Sequence, residues 1–135
     1  ATATAVIAAF GELGVKKVSV GTPYNEELTQ REKDFFEKSG VEVVRIRGLN
    51  FQGKDWEQNS LDPVKRLARE VNRPEAEAVF LSCTNLKTLP VIAELEEELG
   101  KPVFSSNVAT FWHAMRLMGW NENIQGRGKL LGMIK

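Results

Sequence analysis

The sequence predicts an α/β fold: an open parallel four-stranded sheet with helices on both faces. Three observations predict it. Short β-branched or apolar runs alternate with longer amphipathic stretches along the chain. Glycines follow several of the helical stretches, where a left-handed turn ends a helix. The run Ala78-Val79-Phe80-Leu81-Ser82 is continuously apolar up to its last residue, as a strand covered on both faces tends to be.

Each element has its own signal. Thr2 or Thr4 caps a first helix with apolar positions Val6, Ile7, Phe10 and Leu13, closed by Gly14. Lys16 to Gly21 reads as a strand, broken by Thr22-Pro23-Tyr24-Asn25. Glu26 to Ser39 reads as a charged helix with Leu28, Phe35 and Phe36 facing inward, and Val41 to Ile46 as a second strand. Gly48 to Ser60 is the longest loop, polar and irregular, and long loops in compact domains often carry function. Ser60 caps a helix with Pro63 in its first turn, running to about Val71. After the third strand a helix reaches Leu99-Gly100. Pro102 to Ser105 is the fourth strand, and Ala109 to Met118 the next helix. In the mixed tail, Leu130-Leu131 is read as a last short strand. Helices between successive strands imply right-handed crossovers and parallel pairing.

Composition bounds the function. The 135 residues, 42% hydrophobic, suffice for one domain with a core and fall short of two ordinary ones. Eighteen basic residues balance eighteen acidic ones, which disfavours a nucleic-acid binder. The single cysteine excludes a disulfide framework and a Cys-rich zinc site, and fits a reducing compartment. No apolar stretch approaches the roughly 20 residues of a membrane helix, and no signal-peptide pattern is seen. The expectation is a cytoplasmic protein with neither nucleic-acid nor membrane partners.

Ligands of open parallel sheets bind beyond the carboxyl ends of the strands. The residues just past each strand here are small, polar and uncharged, apart from Tyr24. The segments are Thr22 to Asn25, Gly48 to Asn50, Ser82 to Asn85, and Ser105 to Asn107. Such donors suit a small anion, above all a carboxylate. Cys83 is the sharpest signal. If the next helix starts near Thr88, Pro90 is tolerated in its first turn and Cys83 to Lys87 form a loop facing the helix N-terminus. That field favours a thiolate. The residue pattern equally allows Cys83 to be a small buried hydrophobe. Tyr24 offers a phenol to a carboxylate, or simply packs its ring. Asn50 offers an amide, or serves a turn.

Other features carry less. His113, inside a helix, is read as structural. Glu94, Glu96, Glu97 and Glu98 are read as a solvated helix face and not a metal site. Gly126-Arg127-Gly128 is too short for a nucleotide motif, and no glycine fingerprint for a phosphate or dinucleotide comes after any strand. Neither a metal nor a cofactor is expected. Trp56, Trp112 and Trp120 are candidates to cover an exposed face.

The segment Val79-Phe80-Leu81-Ser82-Cys83-Thr84-Asn85-Leu86-Lys87-Thr88-Leu89 resembles the second-cysteine segment of maleate cis-trans isomerases. These belong to the aspartate/glutamate/hydantoin racemase superfamily, with arylmalonate decarboxylases as close relatives. Ala3 to Val6, Leu13 to Val18 and Thr22-Pro23-Tyr24 look like the start of that family's second half. Leu99 to Asn107, Thr110-Phe111-Trp112 and Arg116-Leu117 resemble its end. The resemblance implies one flavodoxin-like lobe of a two-lobe enzyme whose lobes each supply a catalytic cysteine position to the cleft. The chain begins Ala1-Thr2-Ala3-Thr4 without a methionine. Methionine removal explains that blandly. Together with the resemblance, the expectation is that residues 1–135 are the carboxyl-terminal lobe, with the amino-terminal lobe missing.

The resemblance further implies cofactor-independent cis-trans isomerisation of a small dicarboxylate, maleate to fumarate, with a homo-oligomer as the expected assembly. Cys83 is the implied catalytic residue. Tyr24, Thr84, Asn85 and Asn50 are the implied substrate-binding residues. An amino-acid racemase and an arylmalonate-type decarboxylase are the alternatives within the superfamily. Decarboxylases carry small glycines after the cysteine where this chain has Thr84-Asn85. From another class, a non-catalytic flavodoxin-like binding module of the receiver type is the rival. A receiver wants an acidic cluster at the strand ends, which this sequence lacks.

Overall fold

In the computed structural model, residues 2–52, 62–82 and 88–134 are described. Their elements in chain order are α1 (Thr2–Leu13), β1 (Lys17–Thr22), α2 (Glu26–Lys38), β2 (Glu42–Gly48), α3 (Asp62–Val71), β3 (Ala78–Leu81), α4 (Leu89–Leu99), β4 (Val103–Ser105) and α5 (Ser106–Leu117). A 3-10 helix, Leu130–Met133, closes the chain.

The four strands form one sheet in the order β2-β1-β3-β4, and every pairing is parallel. Strand geometry then sorts the core. Successive side chains of a strand point to opposite faces. On β3, Ala78 and Phe80 join the core beneath α1, α2 and α5, while Val79 and Leu81 join that beneath α3 and α4. All four β3 residues are buried, which is why this strand lacks the alternation of a half-exposed one. On the first face the rings of Phe10, Phe36, Phe80 and Phe104 interlock, with Phe10 lying 5.5, 5.8 and 5.4 Å from the other three, edge-on to each.

Several expectations change in detail. Leu28 and Phe35 do not face inward: they are 44% and 41% exposed, and only Phe36 and Thr29 of α2 are buried. The buried stripe of α2 is thus narrower than the apolar residues suggested. Leu130-Leu131 is not a strand. Both residues are buried in the 3-10 helix, packed on the first core. The Trp112 indole N–H donates to the Met133 carbonyl at 3.4 Å. The last main helix starts at Ser106, earlier than Ala109, because the Ser105 hydroxyl accepts from the Val108 N–H and caps it there. Trp112 is buried and Trp120 half exposed. Trp56, Ser60 and most of the predicted long loop lie outside the described residues.

Candidate functional site at the carboxyl edge of the sheet

The carboxyl ends of all four strands lie along one edge. Two of the connections there are tied together by main-chain hydrogen bonds. The Leu49 N–H donates to the Thr22 carbonyl at 2.8 Å, the Asn50 N–H to Tyr24 at 3.0 Å and the Phe51 N–H to Pro23 at 2.8 Å. The ladder between β1 and β2 is thereby extended past the strands themselves. Tyr24 and Asn50, 26 positions apart in sequence, become neighbours.

Each turn has a local cause. The Thr22 hydroxyl accepts from the Tyr24 N–H at 3.1 Å. Asn25 then caps α2, its side-chain oxygen accepting from the Leu28 N–H at 2.9 Å. Gly48 permits the close approach, since a Cβ there would collide with the Tyr24 carbonyl and the Thr29 hydroxyl. Asn50 has φ 54°, a left-handed conformation that asparagine tolerates better than most residues. Its side-chain oxygen accepts from the Gln52 amide at 3.3 Å.

An open cavity of about 180 Å³ lies at this edge, between α1, α2, β3 and α5. Tyr24, Glu32, Ser82 and Ser106 supply polar groups, and Phe36 and Phe80 are among its apolar walls. Burial pushes the Glu32 carboxyl above the usual carboxylate range, and a hydrogen bond with the Ser82 side chain pulls it partly back. Sequence reasoning missed Glu32. The available signal was helical spacing: Thr29, Glu32 and Phe36 fall on one stripe of α2, so an acidic residue shares the inward face with two buried ones.

The structure joins Tyr24 and Asn50 through the main chain, and of the two only Tyr24 lines this cavity. Cys83, Thr84 and Asn85 lie outside the described residues. Ser82, joined to Cys83 by one peptide bond, is buried at the cavity wall. Helix α4 begins at Leu89, with Pro90 in its first turn as the spacing requires. His113 is remote from this edge in chemical terms: it stacks on Trp112 in the groove between α1 and α5, with Glu12 and Arg116 nearby. Of the acidic residues on α4, Glu94 and Glu98 pair with Lys65 and Arg69 on α3. Glu96 departs from the solvated-face expectation: its carboxylate accepts from the main chain of Val103 and Lys129. Among the described residues no cluster of three or more His, Cys, Asp or Glu could hold a metal ion. No helix among them is long and apolar enough to cross a membrane.

The profile of the arylmalonate decarboxylase family matches residues 1–131. The chain belongs to this family. Among its relatives, a maleate isomerase from Alcaligenes faecalis is 34% identical, over 99% of this chain and 54% of its own length. An arylmalonate decarboxylase from Bordetella bronchiseptica is 32% identical, over 94% of this chain and 55% of its own length. A crystal structure of a maleate isomerase variant from Pseudomonas putida S16 with maleate superposes with a TM-score of 0.89 at 26% identity. It covers 97% of this chain and 53% of that one. The chain therefore spans about half the length of these relatives.

Proposed function

We propose that this chain is the carboxyl-terminal lobe of a cofactor-independent, maleate-isomerase-type enzyme working on a small dicarboxylate, with Cys83 as its catalytic thiol. The observation that carries the reading is the locking of the Tyr24 turn to the Asn50 turn at the edge where β3 hands the chain to Cys83. A phenol and an amide thereby share the edge at which the one cysteine enters. The 34% identity to a maleate isomerase supports the choice of substrate class.

In this reading a cysteine thiolate of the amino-terminal lobe adds to one alkene carbon of maleate. The Cys83 thiol gives its proton to the other alkene carbon and becomes a thiolate. Rotation about the new single bond comes next. Cys83 takes a proton back from that carbon, the carbon–sulfur bond breaks, and fumarate leaves with both sulfurs restored. Tyr24, Asn50, Thr84 and Asn85 hold the carboxylates and the enediolate-like charge, each well-placed donor contributing about 3 kcal/mol. A thiol in this role must remain reduced, in keeping with a cytoplasmic location.

The family profile and the 32% identity to a decarboxylase favour arylmalonate decarboxylation as a second reading. Thr84 and Asn85 weigh against it, since they stand where decarboxylases have glycines that leave room for an aryl group.

Proton NMR of the full two-lobe protein tests the proposal. Maleate should convert to fumarate without added cofactor, and Cys83→Ser should cut turnover by a factor on the order of 10³. Undiminished turnover in that variant would refute the assignment, and carbon dioxide release from phenylmalonate would select the second reading. The 135-residue chain alone should be nearly inactive, and robust turnover by it would refute the two-lobe proposal.

A further inference from the structure

We propose that a cavity between β2 and α3 binds a small organic phosphate, a phosphoryl dianion carried on an apolar body, through Arg47 and Arg66. None of its lining residues is among those proposed to hold the dicarboxylate.

Two periodicities build the cavity. Along a strand, alternate residues point the same way. Ile46 packs on the core beneath α1, α2 and α5, whereas Leu49 and Phe51 pack on the core beneath α3 and α4. Arg45 and Arg47 share that second side of β2 and reach Glu70 of α3. On α3, Arg66 and Glu70 are four residues apart and lie on one side of the helix, with Leu67 buried beside them. Gly21 lets the helix lie close, since a Cβ there would come within 2.7 Å of the Leu67 side chain. The space enclosed is about 350 Å³, a volume suited to a small ligand.

The charges around it do not balance. Glu70 is the one carboxylate at the wall among the described residues. Arg47 pairs with it, and Arg45 lies 3.9 Å away. The Arg45 Nε is buried and has no hydrogen-bond partner among the described residues. Arg66 is exposed, lines the same cavity and forms no ion pair among the described residues. Three guanidinium groups thus meet one carboxylate, in a chain whose formal net charge is zero. A phosphomonoester carries close to two negative charges at neutral pH, and its oxygens match the guanidinium fork. Leu49, Phe51 and Leu67 supply apolar surface for the ester's body. A small dicarboxylate has the charge but no apolar part to cover that surface, and a monocarboxylate has half the charge.

Titration of the isotope-labelled 135-residue chain with phenyl phosphate near pH 7.5, followed by amide chemical shifts, tests the site. Saturable shifts are expected at Leu49, Phe51, Arg66 and Leu67. Inorganic phosphate and maleate should each bind there roughly tenfold more weakly. Arg66→Gln should weaken phenyl phosphate roughly tenfold. Arg127→Gln removes an exposed charge from the tail and should leave binding unchanged. Glu70→Gln frees Arg47 from its partner and should tighten binding about threefold. Circular dichroism melts show that each variant is folded, and the exposed Arg66 carries the test if the Glu70 variant unfolds. No saturable shift up to about 10 mM phenyl phosphate, where even a weak site would fill, overturns the proposal. So do shifts confined to residues 22–25, or unweakened binding in the Arg66 variant. Inorganic phosphate binding as tightly as phenyl phosphate overturns the assignment of an organic ligand.

Discussion

The two edges of the sheet are built differently. At the amino edge, charged side chains close off the strand ends. The Glu77 carboxylate accepts from the main-chain N–H groups of Lys16 and Lys17 at 2.8 and 3.0 Å. The Lys101 ammonium donates to the carbonyls of Arg73 and Ala76 at 2.9 and 2.8 Å. At the carboxyl edge the turns are instead tied by neutral side-chain oxygens, the hydroxyls of Thr22 and Ser105 and the amide of Asn25, each accepting from a main-chain N–H. Charges are not excluded from it: Glu32 stands at a cavity wall, and Arg47, the next-to-last residue of β2, pairs with Glu70. Ionic closures thus hold the strand ends away from the proposed site, and neutral side chains shape the turns at the edge proposed to hold an anion. A permanent salt-bridge network at the carboxyl edge would compete with a carboxylate ligand.

That contrast can be broken or sharpened by substitution at each edge. The largest stability effect is expected at the amino edge. Lys101→Met leaves two partly buried carbonyls without their donor and should cost about 2 kcal/mol in urea denaturation. It should leave Cys83 alkylation unchanged. Tyr24→Phe at the opposite edge should reverse the pattern. Its stability should change by less than about 1 kcal/mol, while the maleate concentration needed to protect Cys83 rises about tenfold. Equal stability losses at the two edges would remove the contrast.

Two smaller effects concern pH. The main-chain N–H groups of Lys16 and Lys17 hold the Glu77 carboxyl below its ordinary range. Its contribution is therefore present above the unfolded carboxylate range and lost as pH falls through the lower folded value. Glu77→Gln should flatten the acid limb of the stability profile. Glu32 has the opposite sign. Burial raises its folded value, so the folded state holds this proton more tightly than the unfolded one. Stability from this group is full below the unfolded value and declines as pH rises through the folded one. Glu32→Gln should gain on the wild type between acid and neutral pH. Denaturation midpoints across that range check both signs.

Much of this architecture was legible in the sequence, because the strongest signals were periodic. The continuous apolar run of β3 announced a doubly covered strand, and Gly14, Gly40 and Gly100 marked helix ends with positive φ. Pro90 marked a helix start, while the capping role of Asn25, read only as part of a strand break, emerged from the fold. The reading failed where apolar character stood in for direction. Phe35 and Leu28 are apolar but lie off the buried stripe of α2. Leu130 and Leu131 are buried by tertiary packing in a turn of helix that four residues cannot announce. At the site, Tyr24 and Asn50 were each visible as strand-end residues. Their junction was not, since it runs through main-chain N–H and carbonyl groups that every residue but proline carries in full. Glu32 was missed for a related reason. An acidic residue in a charged helix resembles its solvated neighbours until the fold turns it toward Ser82.

If the carboxyl edge presents an activated thiol to a small dicarboxylate, alkylation of Cys83 by iodoacetamide at neutral pH reads it most directly. A rate roughly tenfold above that of an ordinary free thiol is expected, from the field of the α4 N-terminus. That rate should be slowed in a saturable way by maleate and unaffected by an equal concentration of chloride. A rate no faster than that of an inert buried thiol, or one indifferent to maleate, would contradict it.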